Sequence, residues 1–223
     1  MFQTNLNIYC ISGLGADKRA FEKLHFPEGC QVHHLDWIQH KRNERLEQYA
    51  KRLSQLIDVS KPFVLVGLSF GGMIAVAMNQ YVHPEKTILI SSIGCTTELP
   101  WYFRLIGKMQ LQRCIPLFVL NHPTRAVHWL FGAKHSAERI MLNRIITEND
   151  PRFFKWALGA ILTWKQEQRP SRLFQIHGSQ DKKLPLQYTY PDIVIDKGSH
   201  FSVWIRTADV SEAMSVALKP QYC

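Results

Sequence analysis

Three residue types suited to proton transfer and acyl transfer stand at separated points of this chain, each two or three residues from a glycine: Ser69, Asp181 and His200. Ser69 lies in Gly67-Leu68-Ser69-Phe70-Gly71-Gly72, directly after the apolar run Phe63 to Val66 and before a helical run containing Ala75 and Ala77. A chain that turns from strand to helix within so few residues crowds its own backbone. The positions two before and two after the turning residue must then be small, which predicts a sharp elbow with the serine hydroxyl lifted off the sheet edge. The first amides of the following helix are left unpaired and partly positive, which suits an anion forming beside that serine.

A serine hydroxyl is a weak nucleophile until a base removes its proton, and the base needs a third group to fix its tautomer. His177-Gly178-Ser179-Gln180-Asp181 places an acid just past an expected strand, and Gly198-Ser199-His200-Phe201 places a histidine just past the last one. Asp181 also fits a turn or helix cap, and His200 a packing residue. Asp192, Asp196 and Glu98 compete with Asp181 for the role of acid. His177, inside the strand end, reads as structural.

The elements that must position these residues follow from hydrophobic periodicity. Leu6–Ile11 reads as a strand ending in Ser12-Gly13-Leu14-Gly15, with Asp17 capping a short helix through Leu24. Val32–Trp37 reads as a second strand. Asn43–Ile57 reads as an amphipathic helix with apolar positions at Leu46, Tyr49, Ala50, Leu53, Leu56 and Ile57. The Phe63 strand and the serine helix come next, then a strand over Lys86–Ser92, centred on Ile88-Leu89-Ile90, that reads as fully buried. Strands alternating with helices, several apolar on both faces, predict an α/β fold with a mostly parallel sheet flanked by helices.

The rhythm breaks between 97 and 169, where only aromatic-rich helical patterns occur: Trp101–Leu111, Leu117–Leu130, Ala137–Ile146 and Arg152–Trp164. Strand patterns resume at Arg172–His177 and Ile193–Asp196, and a closing helix is expected over Phe201–Leu218. The expected organisation is a core formed by 1–96 and 170–223 with a helical cap inserted over 97–169. In a parallel sheet, Ser69, Asp181 and His200 would share the edge where such sheets place their sites.

With 223 residues, 46% of them hydrophobic, the chain is long enough for one well-buried domain and has no apolar run long enough to span a bilayer. Met1–Cys10 lacks a basic region and a long apolar stretch, so it reads as a first strand and not an export signal, and a cytoplasmic location is expected. Cys10, Cys30, Cys95, Cys114 and Cys223 are widely spaced without a CxxC pair, and no metal site or cofactor is expected. The net charge of +9 is concentrated in the middle of the chain, where eleven basic residues stand against five acids between Glu98 and Arg169. Their single spacing along helical patterns is that of a solvated face, with attraction of anionic substrates or a membrane surface as the alternatives. No basic stripe or reader motif supports nucleic-acid binding.

Taken in order, Ser12-Gly13-Leu14-Gly15, Gly67-Leu68-Ser69-Phe70-Gly71-Gly72, His177-Gly178-Ser179-Gln180-Asp181 and Gly198-Ser199-His200-Phe201 resemble the loops of an α/β-hydrolase fold protein over nearly the whole chain. The resemblance implies Ser69 as nucleophile, Asp181 as acid and His200 as base, with an oxyanion hole from the backbone amides of Leu14 and Phe70. Family members often carry His-Gly where this chain has Ser12-Gly13, which alters the hydrogen bonding of that loop. The chain also opens directly at the strand before it, as in compact carboxylesterases and acyl hydrolases. The activity implied is hydrolysis of a small carboxylic ester or thioester through an acyl-enzyme, with no cofactor. Hydroxynitrile lysis, carbon–carbon bond hydrolysis and non-catalytic ligand binding use the same scaffold. Among the cap aromatics, Trp101, Phe103, Trp129 and Trp156 are the expected substrate-pocket residues.

Overall fold

The computed structural model describes residues 6–110, 123–148 and 150–219. Strands β1 (Leu6–Ile11), β2 (Cys30–Leu35), β3 (Phe63–Leu68), β4 (Lys86–Ile90), β5 (Leu173–Gly178) and β6 (Ile193–Ile195) form one sheet in the order β2-β1-β3-β4-β5-β6. Every pairing is parallel. The chain runs outward from β1 to β2 and returns to the far side of β1 for β3, so strand order reverses between β1 and β3. A crevice opens at the carboxyl ends of two strands that diverge in this way.

Both faces of the sheet are covered, which is why β3 is buried at all six positions. Ile8, Cys10, Val64, Val66, Ile88 and Ile90 face one core together with Phe21, Val210 and Met214. Tyr9, Ile11, Phe63, Leu65 and Leu89 face the other, against α1 (Leu46–Ser54) and α2 (Phe70–Met78). In α1 the buried residues Leu46, Tyr49, Ala50 and Leu53 fall at the spacing of a single helical stripe. The helix is shorter than the expected Asn43–Ile57 because Asn43 takes a left-handed φ of 56°, and the Arg45 amide then donates to Gln48 Oε1 at 2.9 Å as the first turn begins.

Two other local expectations are corrected. Asp17 does cap, accepting from the Arg19 amide at 2.9 Å, but the turn it opens is a 3-10 segment, Lys18–Phe21, and not a helix through Leu24. The closing helix is split into α7 (Ser202–Ile205) and α8 (Thr207–Ala217) at Arg206, whose φ of −118° and ψ of 45° leave the helical region while its guanidinium bonds Asp209 at 2.6 Å.

Between β4 and β5 the described residues hold helices and no strand: α3 (Trp101–Lys108), α4 (Arg125–Phe131), α5 (Ser136–Thr147) and α6 (Pro151–Thr163). The helix expected over 117–130 falls partly outside the described residues, as do Phe118, Cys114 and Cys223. The two ends of this block are tied together. The Thr96 amide donates to the Gln166 carbonyl at 2.7 Å, and the Gln166 amide returns a bond to Thr96 Oγ1 at 2.8 Å. Beneath them the fully buried Glu98 accepts from Gln175 Nε2 at 3.0 Å and the Gly94 amide at 3.2 Å, with Arg169 Nε at 3.6 Å. Helix α6 is fastened to the core by a cluster of Trp37, Tyr49, Phe70, Phe153 and Trp156 rings with centroids 4.6 to 6.3 Å apart. No helix among the described residues is long and apolar enough to cross a membrane.

Candidate active site

Ser69 is the residue at which β3 becomes α2. Its φ of 51° and ψ of −117° are a strained backbone conformation for a residue with a side chain, and the surroundings hold it there. The Ser69 amide donates to the Ile90 carbonyl at 2.9 Å, and Ser92 Oγ donates to the Ser69 carbonyl at 2.6 Å. A β-carbon on Gly67 would collide with the backbone of Gly72, so the tight strand-to-helix turn is possible only with hydrogen at these positions.

The structure brings the three sequence-predicted residues into one chain of hydrogen bonds. Ser69 Oγ lies 2.9 Å from His200 Nε2, and His200 Nδ1 lies 2.7 Å from Asp181 Oδ2. A carboxylate only accepts, so Nδ1 carries the proton and Nε2 offers its lone pair to the serine hydroxyl. Asp181 is itself fixed, its Oδ1 accepting from the amides of Lys183 and Leu184, each at 2.9 Å. Asp181 and His200 are buried, whereas Ser69 is half-buried at the crevice between β1 and β3.

Charge and burial set the protonation states. Burial alone would raise the Asp181 carboxyl, but the His200 imidazole, His177 and the Leu184 amide outweigh it and hold the acid below the ordinary carboxylate range. Burial pushes His200 below the ordinary histidine range against the pull of Asp181, and the Lys183 ammonium pushes the same way. Lys183 is lowered by burial to about 8. At neutral pH the arrangement is an ionised acid, a neutral base and a hydroxyl, the set needed to generate a nucleophilic oxygen.

The rival acids are engaged elsewhere. Asp192 Oδ2 accepts from the Gln175 amide at 2.7 Å, Glu98 is locked in its buried network, and Asp196 is exposed. His177 Nε2 donates to the Leu184 carbonyl at 2.7 Å and so braces the loop that carries Asp181.

Leu14 and Phe70 flank Ser69 from two directions. Phe70 is the first residue of α2, and its ring stacks on Trp37 at 5.5 Å. The loop bearing Leu14 runs past Ser69, where a β-carbon on Gly13 would stand 3.5 Å from Ser69 Cβ. Ser12 donates its hydroxyl to the Ala16 carbonyl at 2.5 Å, and Trp37 Nε1 donates to the same oxygen at 2.9 Å. This loop is therefore held from inside and from β2's side.

The expected pocket aromatics separate. Trp156 packs inside the aromatic cluster, 4.6 Å from Tyr49, and donates Nε1 to the Glu44 carbonyl at 2.8 Å. Phe103 packs half-buried against the same core. Trp101 and Trp129 are 58% and 64% exposed. Two neighbours of the site were not singled out from the sequence. The Phe131 ring meets His200 edge-on at 5.6 Å, and the Lys183 ammonium sits 3.8 Å over the Phe131 ring. The place of Lys183 two residues after Asp181 was the one sequence signal for the second, and nothing in the periodicity of α4 marked the first. Among the described residues no group of three or more His, Cys, Asp or Glu side chains is placed to hold a metal ion.

The family model described as alpha/beta hydrolase family matches residues 8–213. No curated protein matches the chain in sequence. Among solved structures, the chain is similar to a protein described as a lipase from Acinetobacter baumannii, with a TM-score of 0.70 and 14% identity over 94% of this chain and 82% of that one. It is similar to a protein described as a non-heme bromoperoxidase from Mycobacterium tuberculosis, with a TM-score of 0.68 and 15% identity over 93% and 90%. It is also similar to a thermophilic esterase from Thermogutta terrifontis, with a TM-score of 0.61 and 15% identity over 94% and 88%. At these identities the likeness to the solved structures is one of fold.

Proposed function

The chain belongs to the alpha/beta hydrolase family, and from that premise we propose that it is a serine hydrolase of small carboxylic esters or thioesters, with Ser69, His200 and Asp181 as its catalytic residues. The observation that carries this reading is the chain of hydrogen bonds from Ser69 Oγ through His200 to Asp181, set on a strained turn at the crevice of the sheet.

In the reaction His200 Nε2 takes the Ser69 proton as the oxygen attacks the substrate carbonyl, and the buried Asp181 carboxylate stabilises the imidazolium that forms. The oxygen of the tetrahedral intermediate is placed between the amides of Phe70 and Leu14, where each donor is worth about 3 kcal/mol of barrier. His200 then gives its proton to the leaving alcohol or thiol as the carbon–oxygen or carbon–sulfur bond breaks, leaving acyl-Ser69. Water attacks this ester with His200 again as base, and the carboxylic acid departs. Only groups of this chain are required in these steps. The helices α3 to α6, between residues 97 and 169, act as the cap over the site.

The test is intact-protein mass after treatment with a fluorophosphonate, on wild type and Ser69→Ala side by side, together with turnover of an ester and thioester panel. One adduct on wild type and none on a folded Ser69→Ala, with kcat lowered by about six orders of magnitude in the variant, is the expected result. Equal turnover by the two proteins would remove Ser69 as nucleophile.

A further inference from the structure

Helix α4, the segment after it and the loop carrying Asp181 enclose a second cavity, of about 450 Å³, whose lining includes Arg125, His128, Trp129, Lys134, Arg139 and Lys182. Four of these six carry a permanent positive charge. No acid lines the cavity, and among the described residues none of the four has an ion-pair partner. Two acids adjoin these cations in sequence, and both are buried and engaged away from the cavity: Glu138 accepts from the amides of Lys134 at 2.7 Å and His135 at 3.0 Å, and Asp181 accepts from His200 at 2.7 Å and from the amides of Lys183 and Leu184. Like charges gathered around one space repel each other and lower the cost of placing an anion there. The remaining wall is His128, whose Nε2 bonds Asn143 Oδ1 at 2.7 Å, with Gly132, Ala133 and the exposed Trp129, and the Lys182 ammonium lies 3.8 Å over the Trp129 indole ring.

The cavity adjoins the triad through three residues. Lys182 directly follows Asp181. Gly132, also in the lining, presses on Ser199, which precedes His200, and a β-carbon on Gly132 would stand 2.5 Å from Ser199 Cβ. Phe131, next to Gly132, carries the ring that meets His200. The space with its indole wall and four cations is thus bounded by residues that stand next to Asp181, Phe131 and Ser199.

We propose that this cavity binds the anionic end of the substrate, so that the preferred ester or thioester carries a carboxylate or phosphate group remote from its scissile carbonyl. The kinetic consequence rests on the serine hydrolase reading, but the binding of anions by the cavity does not.

The test uses Arg125→Gln/Lys134→Gln, which removes two exposed charges that no described contact needs, with Lys134→Gln alone as a milder variant should the pair fail to fold. Isothermal titration of wild type and variant with glutarate and with inorganic phosphate reads binding without turnover. Turnover of monomethyl glutarate against methyl pentanoate, and of the butyryl ester of glycerol 3-phosphate against that of glycerol, reads which anion the active enzyme selects. The expected result is about a tenfold higher kcat/KM for one anionic ester over its neutral partner, lost in the variant and at high salt, with the neutral ester unaffected. A wild-type ratio near one, or a ratio the variant leaves unchanged, overturns the proposal. If no ester is cleaved but wild type binds one of the anions and the variant does not, the cavity assignment stands and the hydrolase reading falls. If neither anion binds and no ester is discriminated, the cavity assignment falls whatever the triad does.

Discussion

Gly71, in the first turn of α2, rests against the carbonyl oxygen of Ser12 so closely that a β-carbon at Gly71 would collide with it and with the carbonyl of Ile11. The contact joins the helix after Ser69, the proposed nucleophile, to the loop after β1, and so sets how far apart the amides of Phe70 and Leu14 can lie. Gly71→Ala forces the two elements apart. Denaturant unfolding is expected to show a loss of about 3 kcal/mol, the upper end for overpacking a site that cannot relax, with loss of activity in any folded fraction. Gly159→Ala is the control: it stands in the middle of α6 with nothing within 4 Å of an added β-carbon. It should raise stability by about 0.5 to 1 kcal/mol, because glycine disfavours helix interiors.

The acid is assigned by a comparison of two loops. Asp181 bonds His200 Nδ1 at 2.7 Å, whereas Asp196 is exposed at the end of β6. Asp181→Asn presents an amide that can force the wrong imidazole tautomer, and kcat should fall by about four orders of magnitude. Asp196→Asn should stay within about twofold of wild type, as surface substitutions away from such networks do. Steady-state kinetics on one ester decides it, and a larger loss at Asp196 would move the acid to the later loop.

The base must be neutral to accept the serine proton, and burial, with Lys183, keeps His200 neutral to lower pH than an ordinary imidazole. The acid limb of kcat/KM is therefore expected below the ordinary histidine value of about 6.5. The sign for stability runs the same way. Unfolded His200 binds its proton more readily than the folded residue, so His200's contribution is present above the ordinary value and is lost as pH falls through it. Lys183→Met removes a cation that opposes the imidazolium and should move the acid limb to higher pH. A pH–rate profile of the two proteins that coincide would show that Lys183 does not act on His200.

Glu98 and Arg169 stand at the two ends of the helical insertion, and Glu98 is fully buried. Glu98→Ala leaves Arg169 and Gln175 Nε2 without their shared acceptor. Removing one partner of such a pair should destabilise the protein by about 3 to 4 kcal/mol. Limited proteolysis should then cut within 97–169 before the sheet core, and simultaneous loss of both parts would mean that the insertion is not fastened there.

The sequence by itself determined the parallel order of strand and helix, the elbow at Ser69 and the positions of the two later polar loops. These rest on local physics, since apolar runs bury on both faces and a strand-to-helix turn excludes a β-carbon at Gly67, whereas the contact that excludes one at Gly71 is made by the distant loop after β1. Distances between residues more than a hundred positions apart have no local signal. Only the tertiary structure decided that Asp181, and not Asp192, Asp196 or Glu98, faces His200, because each of these carboxylates lies near a strand end or loop and its partner is set by sheet order and loop path. The aromatics of the insertion were legible as a set but not in their duties. Helical spacing says that Trp156 and Trp129 recur on faces, while the surfaces those faces meet depend on how α4 and α6 dock. Trp156 became part of the packing beneath Phe70, and Trp129 stayed open beside four cations. The same docking turned singly spaced charges at 125, 134 and 139, which read along the chain as a solvated face, into the lining of one cavity together with Lys182.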